Sequence, residues 1–349
     1  CDWMHVDIDD QRRHKLDLVA DALKRIGKLQ SPPPIRLLPA GPPLGYRNRI
    51  RFQIDAEGRV GFFSSQSHRM TEPDACAISD PRINAALAVL RRHARKNPNL
   101  AADFAYVEAR ASEYAPNVTL WFVRRTPEKP LATMTQRFVS ALGRDLAVAV
   151  DGVGDPALFQ RYDLTSETFL YAPAGAFVQV NPAANRTLVE TVRDGALSRG
   201  HASFADLYAG AGNFSLPLLA AGFTGVAIEQ HLPSVLCARR AAREQGLDES
   251  TFETGSVRDA AKRWIAAGRR FDLVLADPPR AGIKQGLDAI ARLAARHIAI
   301  CSCNPSTLAR DLAELERHGF EIEELLAVDM FPQTHHVEVL AWLVPSKPR

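Results

Sequence analysis

From residue 182 onward the chain alternates strand-like and helix-like apolar patterns, and this alternation restricts the fold more than any other feature. A helical period over 182–195 precedes strand-like runs at 204–207, 225–228, 273–276 and 297–301. Helical patterns start at Phe214, Ser234, Leu287 and Pro305. Two further strand-like runs, 322–329 and 336–344, follow. Strands that alternate with helices and end in a hairpin predict an α/β domain with a doubly wound, mostly parallel sheet.

Upstream the rhythm is different. Asp9 and Asp10 read as N-caps of a helix whose apolar face is Leu16, Val19, Ala20, Leu23 and Ile26, with Gly27 beyond its end. Ser31-Pro32-Pro33-Pro34 then makes a stiff connector. Runs at 49–54 and 59–63 flank a turn at Glu57-Gly58 and predict a hairpin. Strand patterns also cover 104–109, 118–123, 146–150 and 169–172, with helical patterns over 83–95 and 130–142. The expected organisation is an N-terminal helix and linker over 1–34, a smaller α+β central domain over 35–172, and the α/β domain over 173–349.

A chain of 349 residues that is 46% hydrophobic can bury substantial cores, and fits two or three domains. No apolar run approaches the roughly 18 residues of a membrane span, and charges throughout the first 25 residues argue against a signal peptide. Five cysteines, at 1, 76, 237, 301 and 303, are odd in number and irregularly spaced. That pattern argues against a disulfide scaffold and for a reducing compartment, so the expectation is a cytoplasmic monomer that meets no membrane. The chain begins with Cys rather than Met, as a processed chain or a fragment would. A lipoprotein start is disfavoured, because a helix signal follows where a polar tether would stand. Residues 1–150 carry 23 Lys and Arg against 16 Asp and Glu, a balance of +7, whereas 151–349 carry 20 against 24, a balance of −4. A basic front half suggests a polyanionic partner.

The run from Phe204 to Ser215, Phe-Ala-Asp-Leu-Tyr-Ala-Gly-Ala-Gly-Asn-Phe-Ser, sets a glycine-rich turn between a predicted strand and helix. Gly210 and Gly212 let the backbone approach a ligand at the helix N-terminus. Glu229 ends the next strand, where a carboxylate can accept hydrogen bonds from both hydroxyls of a ribose. The spacing suits a dinucleotide or S-adenosylmethionine. Ser215 in place of the third glycine of the dinucleotide fingerprint favours the methyl donor, and a strand–turn–helix without ligand is the plain alternative. Asp277-Pro278-Pro279-Arg280 leaves the run 273–276 at the strand end where open α/β sheets bind ligands, and its prolines stop the ladder there. Cys303 stands just before the helix that starts at Pro305, and a helix N-terminus lowers a thiol pKa toward neutrality. Cys301 reads as strand filling and Cys237 as structural. Taken alone, Cys303 reads equally well as a small buried residue.

Five segments together resemble the RNA uracil-5-methyltransferases that act on tRNA or ribosomal RNA. They are Phe177-Val-Gln-Val-Asn181, Asp206-Leu-Tyr-Ala-Gly-Ala-Gly-Asn213, Asp277-Pro-Pro-Arg280, Ser302-Cys-Asn-Pro-Ser-Thr-Leu308 and Asp329-Met-Phe-Pro-Gln-Thr-His-His-Val-Glu338. They stand in the family's order and cover essentially the whole second half. The resemblance implies a Rossmann-like class I methyltransferase domain, S-adenosylmethionine as cofactor and an RNA substrate. It implies cofactor contacts at Gln179, Tyr208, Glu229 and Asp277, around the loop of Gly210, Gly212 and Asn213. It further implies Cys303 as nucleophile and Glu338 as base. The chemistry accounts for these residue types. C5 of uracil is a poor nucleophile, and a thiolate added to C6 turns the ring into an enolate that can take a methyl group. A donor near O4, for which Gln179 is a candidate, would stabilise that enolate. A carboxylate such as Glu338 suits removal of the C5 proton, and its position in an apolar strand is costly without a function.

The front half resembles the same family. Cys1-Asp-Trp-Met-His5 with Gln11-Arg-Arg-His-Lys15 looks like the stretch after the last cysteine of a cluster motif, and Cys76-Ala-Ile-Ser-Asp-Pro81 like the segment of the fourth ligand. Many members hold a [4Fe–4S] cluster on four thiolates. Only Cys1 and Cys76 of those four stand here, so the chain is expected to be truncated or to have lost the cluster. Gly255-Ser256 replaces an acid that often contacts the adenine side of the cofactor in this enzyme class. Arg47, Arg49 and Arg51 recur at strand period and would present one basic face to RNA phosphates, which His68 and Arg69 extend; a solvated strand face is the bland alternative. Three rivals stand beside this reading: methylation of an exocyclic amine, which uses a similar Asp-Pro-Pro turn, a cytosine-5 enzyme, and a catalytically silent RNA-binding protein.

Overall fold

The computed structural model describes residues 1–38, 40–64, 67, 69–116, 118–127, 133–143, 146–150, 159–173, 175–283 and 286–346. Its elements open with α1 (Ile8–Arg25), β1 (Ile35–Leu38), β2 (Arg49–Ile54), β3 (Val60–Phe63), β4 (Met70–Thr71), α2 (Pro81–Lys96), α3 (Pro98–Ala101), β5 (Phe104–Arg110) and β6 (Thr119–Arg124). Next come α4 (Thr133–Leu142), β7 (Ala147–Val150), β8 (Phe159–Asp163), β9 (Phe169–Pro173), α5 (Pro182–Ser198), β10 (Ser203–Leu207), α6 (Ser215–Ala220), β11 (Thr224–Glu229) and α7 (Leu232–Glu244). The last are β12 (Phe252–Thr254), α8 (Val257–Ala266), β13 (Phe271–Ala276), α9 (Leu287–Leu293), β14 (Ala294–Ser302), α10 (Pro305–Arg317), β15 (Phe320–Val328) and β16 (Glu338–Pro345). His68 and the first three residues of the helix expected over 130–142 lie outside the described residues.

Two compact units form. The larger comprises Cys1–Pro43, Asp163–Tyr171 and Ala183–Arg349, and the smaller Leu44–Tyr162 and Ala172–Pro182. The expected segments 1–34, 35–172 and 173–349 are contiguous in the chain; the units are not, because β1 joins the larger unit's sheet as a parallel neighbour of β15.

That sheet has the strand order β1-β15-β16-β14-β13-β10-β11-β12. Both pairings of β16 are antiparallel, and the others are parallel. Leu273 to Ala276 and Ile298 to Cys301 have no solvent exposure at all, as unbroken apolar runs require when helices cover both faces of a parallel sheet. Strand order reverses between β10 and β13, and the crevice at the carboxyl ends of such neighbours is where this architecture binds ligands. β16, inserted antiparallel, starts its ladder at the same end, beside the last residues of β14.

The N-terminal helix departs from expectation in two respects. Asp7, not Asp9 or Asp10, is the N-cap, its Oδ1 accepting from the Asp9 amide at 2.9 Å, while Asp9 and Asp10 sit in the acidic first turn. Its buried face is Gln11, Lys15, Val19, Ala22 and Leu23, and Ile26 is 49% exposed. The apolar period rotates because two polar side chains on that face find buried partners.

In the smaller unit the order is β4-β3-β2-β5-β6-β7, antiparallel except for β6 with β7. Alternation along β2 turns Ile50, Phe52 and Ile54 inward, where they pack with Phe104, Phe122 and the Ile83, Leu87 and Leu90 stripe of α2. Asp80 caps α2 and Pro81 occupies its first turn. No helix among the described residues is long and apolar enough to cross a membrane.

Candidate active site

Strand register brings together the candidate residues of the larger unit. Ala276 pairs with Ile300 in the parallel ladder of β13 and β14, so Asp277 leaves β13 alongside Cys301. Ser302 pairs with Val339 in the antiparallel ladder of β14 and β16, so Cys303 and Glu338 take facing positions just beyond the last pair of that ladder. Arg280 stands near enough to Cys303 to draw its thiol toward the anion, and reaches His336 Nε2 at 3.1 Å. The Arg280 carbonyl accepts from Asn304 Nδ2 at 3.3 Å and Thr307 Oγ1 at 3.4 Å, which ties the Asp-Pro-Pro-Arg turn to the start of α10. Asn304 Oδ1 caps that helix through the Ser306 amide.

The electrostatics are those of acids held away from water. Glu338 is 3% exposed, and burial pushes its carboxyl well above the usual range, with Asp277 adding to the rise and Arg280 opposing it. Asp277 is raised to about 7 by burial and then by Asp206. The Cys303 thiol is also raised, by burial first and by Glu338 second, although the hydrogen bond and charge of Arg280 pull it back. This is opposite to the expected lowering: burial, Glu338 and Asp277 all act to raise the thiol, and Arg280 alone opposes them. Cys301 has no exposure, and Cys237 is buried in α7, consistent with strand filling and a structural residue.

At the carboxyl end of β10 the backbone turns sharply. Tyr208 has φ +88°, and the amides of Tyr208 and Ala209 both donate to the Ile228 carbonyl. Gly210 donates to Glu229 Oε2 at 3.0 Å, while Glu229 Oε1 accepts from the His231 amide at 2.8 Å. Gly212 has φ +92°, and a Cβ there would meet Leu216 at 2.9 Å, whereas beside Gly210 nothing stands within 4 Å. Asn213 exchanges two amide hydrogen bonds with Asn185 of α5 and so pins the loop to that helix. Asp206 is 1% exposed; its Oδ2 accepts from Ser215 Oγ at 2.5 Å and its Oδ1 is buried without a partner. Gly255 donates to the Glu229 carbonyl and Ser256 caps α8, so the two residues that replace the expected acid serve the backbone.

These residues fit a nucleoside cofactor. Glu229 retains acceptor capacity for ribose hydroxyls beyond its two backbone bonds, open space lies beside Gly210, and Asp206 keeps an unpartnered oxygen at the reversal of strand order. Asp206 was not among the expected site residues, although an acid inside the apolar run 204–207 is a readable signal. His336 was also missed, and a His-His pair carries no comparable signal.

Most of the remaining expected residues belong to the smaller unit. Gln179 belongs to the smaller unit and is half-buried. Cys76, also in the smaller unit, is half-buried and its amide donates to Asn84, whereas Cys1 is exposed in the larger unit. Among the described residues no three His, Cys, Asp or Glu side chains are grouped to hold a metal, and these two thiols do not make the four-thiolate set of a cluster. Arg49 and Arg51 share a face of β2, while Arg47 precedes the strand and bonds the Arg49 carbonyl. Arg49 is turned to the Ala176 carbonyl and over the Phe177 ring, and Arg51 lies over Tyr106 and 3.7 Å from Glu108.

A doubly wound sheet with a glycine-rich loop after β10, an acid ending β11 and a reactive cluster at the ends of β13 and β14 defines an S-adenosylmethionine-dependent class I methyltransferase. A family model for tRNA (uracil-5-)-methyltransferase matches residues 265–345. An RNA methyltransferase of Thermosynechococcus vestitus is 31% identical over 99% of this chain and 82% of its own. A 23S rRNA (uracil(1939)-C(5))-methyltransferase of Aeromonas hydrophila is 30% identical over 98% of this chain and 79% of its own. The crystal structure of the Pyrococcus abyssi tRNA (uracil-54, C5)-methyltransferase in complex with S-adenosyl-L-homocysteine is similar at a TM-score of 0.75 and 25% identity, over 98% of this chain and 85% of that one. The chain belongs to the S-adenosylmethionine-dependent RNA uracil-5-methyltransferase family.

Proposed function

We propose that this chain, acting as a cytoplasmic monomer, methylates C5 of a uridine in ribosomal or transfer RNA through a covalent bond between Cys303 and C6. One observation carries the reading: the antiparallel pairing of β14 with β16 brings Cys303 and Glu338 to facing positions just beyond the last ladder pair, with the Arg280 charge close by. When bound, S-adenosylmethionine supplies an electrophilic methyl group on a cationic sulfur. Glu229 accepts the ribose hydroxyls, and Tyr208, Gly210, Gly212, Asn213 and Asp277 line the same site. Cys303, its thiol proton passed to water, adds its sulfur to C6 as the thiolate, while the C5–C6 electron pair moves toward C5 and O4. Arg280 favours the thiolate through a charge-assisted hydrogen bond. After C5 takes the methyl group, Glu338 accepts the C5 proton, the C5–C6 double bond re-forms, and the C6–S bond breaks to return Cys303 as thiolate. The test is nucleoside mass spectrometry of ribosomal RNA and tRNA after incubation with the protein and labelled methyl donor. Labelled 5-methyluridine is expected; label on an exocyclic amine or on cytosine would replace this reading with one of its rivals.

Two further outcomes follow from the same assignment. Glu229→Ala weakens S-adenosylmethionine binding by on the order of 1.5–3 kcal/mol, the worth of a hydrogen bond to a charged group. Calorimetry checks this, and unchanged affinity would remove Glu229 from the site. Replacing Arg47, Arg49 and Arg51 by Gln weakens RNA binding and flattens its salt dependence, by about 0.7–0.9 in the log–log slope for each phosphate no longer neutralised. An unaltered slope would mean that this face does not meet RNA.

A further inference from the structure

The nine residues 329–337 lead from β15 into β16 and end at Glu338, and α1 holds them with two polar side chains one turn apart. Gln11 and Lys15 both have no solvent exposure. Lys15 Nζ donates to Asp329 Oδ1 at 2.6 Å and to the Phe331 carbonyl at 3.0 Å, with Asp329 itself 1% exposed. Arg12 Nε stands 3.5 Å from the other Asp329 oxygen. Gln11 Oε1 accepts from the Gln333 amide at 2.9 Å, and Gln11 Nε2 donates to Gln333 Oε1 at 3.0 Å. Gln333 has φ +69°, a left-handed conformation that a glutamine holds only where its surroundings fix it. Gln11 Nε2 also lies within hydrogen-bond distance of the Trp3 and Val6 carbonyls, and the Trp3 amide donates to the Gln333 carbonyl at 3.2 Å.

A buried ion pair is a poor stabiliser beside apolar residues of the same size, whereas its fixed geometry can define a single arrangement. The arrangement defined here is that of a loop with two connections to the reacting thiol. Its His336 meets Arg280, whose charge acts on Cys303, and its end presents Glu338 opposite Cys303 just beyond the last β14–β16 pair. We infer that Gln11 and Lys15 are positioning residues for methyl transfer, which hold residues 329–337 so that His336 faces Arg280 and Glu338 faces Cys303. The inference rests on Cys303 and Glu338 being the reacting pair.

Gln11→Leu tests it with steady-state kinetics, S-adenosylmethionine affinity and hydrogen exchange of the 329–337 amides. The expected result is a fall in kcat of about tenfold or more, with KM for RNA and cofactor affinity within about twofold, since geometry is lost and binding groups are not. Exchange of the loop amides should rise by about tenfold or more while the sheet strands stay protected. Faster loop exchange with an unchanged kcat would overturn the inference, because the Gln11 bonds would then be structural only. A fallen kcat with unchanged loop exchange would overturn it as well. Should Gln11→Leu fail to fold, Gln333→Gly removes the other side of the clamp while relieving the left-handed backbone, and is read in the same way. Glu338→Gln assayed alongside judges the underlying assignment separately. Absence of a trapped adduct there would end the reading of Glu338 as base, while kcat and loop exchange in Gln11→Leu would still decide whether α1 positions the loop.

Discussion

Cys303→Ala yields no 5-methyluridine and no covalent protein–RNA species, yet binds RNA and S-adenosylmethionine as the unmodified protein does. Loss of a nucleophile that acts as one unit with its neighbours should lower the rate by on the order of 10⁴-fold, about 5 kcal/mol of barrier. Glu338→Gln gives the complementary result. Addition and methyl transfer proceed, but the C5 proton has no acceptor, so elimination of the thiolate slows by roughly 10²–10⁴-fold. A species carrying labelled methyl should then survive denaturing electrophoresis. The double variant should behave as Cys303→Ala does, because without addition there is nothing to trap. Activity of the unmodified protein should climb as pH rises, since burial raises both the Cys303 thiol and the Glu338 carboxyl, and the thiolate and the carboxylate are the forms that react. Near-normal methylation by Cys303→Ala would end covalent catalysis as an account. Normal turnover by Glu338→Gln without trapped adduct would leave the nucleophile and move the base elsewhere.

Most of the α/β unit could be read from sequence because its strands are buried on both faces. The runs at 204–207, 273–276 and 297–301 are apolar with few interruptions, and the observed strands extend them by only a few residues. Glycines beyond β10 and prolines beyond β13 mark where each strand must stop. β1 escaped notice because four residues at a sheet edge leave no period to detect, and Ser31-Pro32-Pro33-Pro34 immediately before it suggests a linker. The buried face of α1 was read only in part, with Val19 and Leu23 as expected and Gln11 and Lys15 missed, for a different reason. Periodicity assigns Gln11 and Lys15 to solvent, and their burial is made tolerable chiefly by Asp329 and Gln333, more than 300 residues away. The site shows the same division. Residue types and strand-end positions made Cys303, Asp277 and Glu229 candidates, whereas the direction of the Cys303 shift depends on how many carboxylates register brings beside it.

Asp206→Asn should stabilise the larger unit at alkaline pH and leave it nearly unchanged in acid. In the folded protein burial, reinforced by Glu229, raises the Asp206 carboxyl to about 7, far above its unfolded value of 3.8. Between those two values the folded state therefore binds more protons than the unfolded one, and stability must fall as pH rises through that interval. The full cost, on the order of 4 kcal/mol at 1.36 kcal/mol per unit, is present above pH 7 and absent below about pH 4. Asparagine preserves the acceptor for Ser215 Oγ and puts an amide where Oδ1 now stands buried without a partner. Urea unfolding at about pH 4 and pH 8 should thus give close midpoints for the two proteins in acid and a higher midpoint for Asp206→Asn in base. Equal midpoints at both pH values would mean that the acid is not held neutral by burial. If the stabilised variant also binds S-adenosylmethionine more weakly, then the charge at the reversal of strand order is retained for the cationic ligand at the expense of the fold.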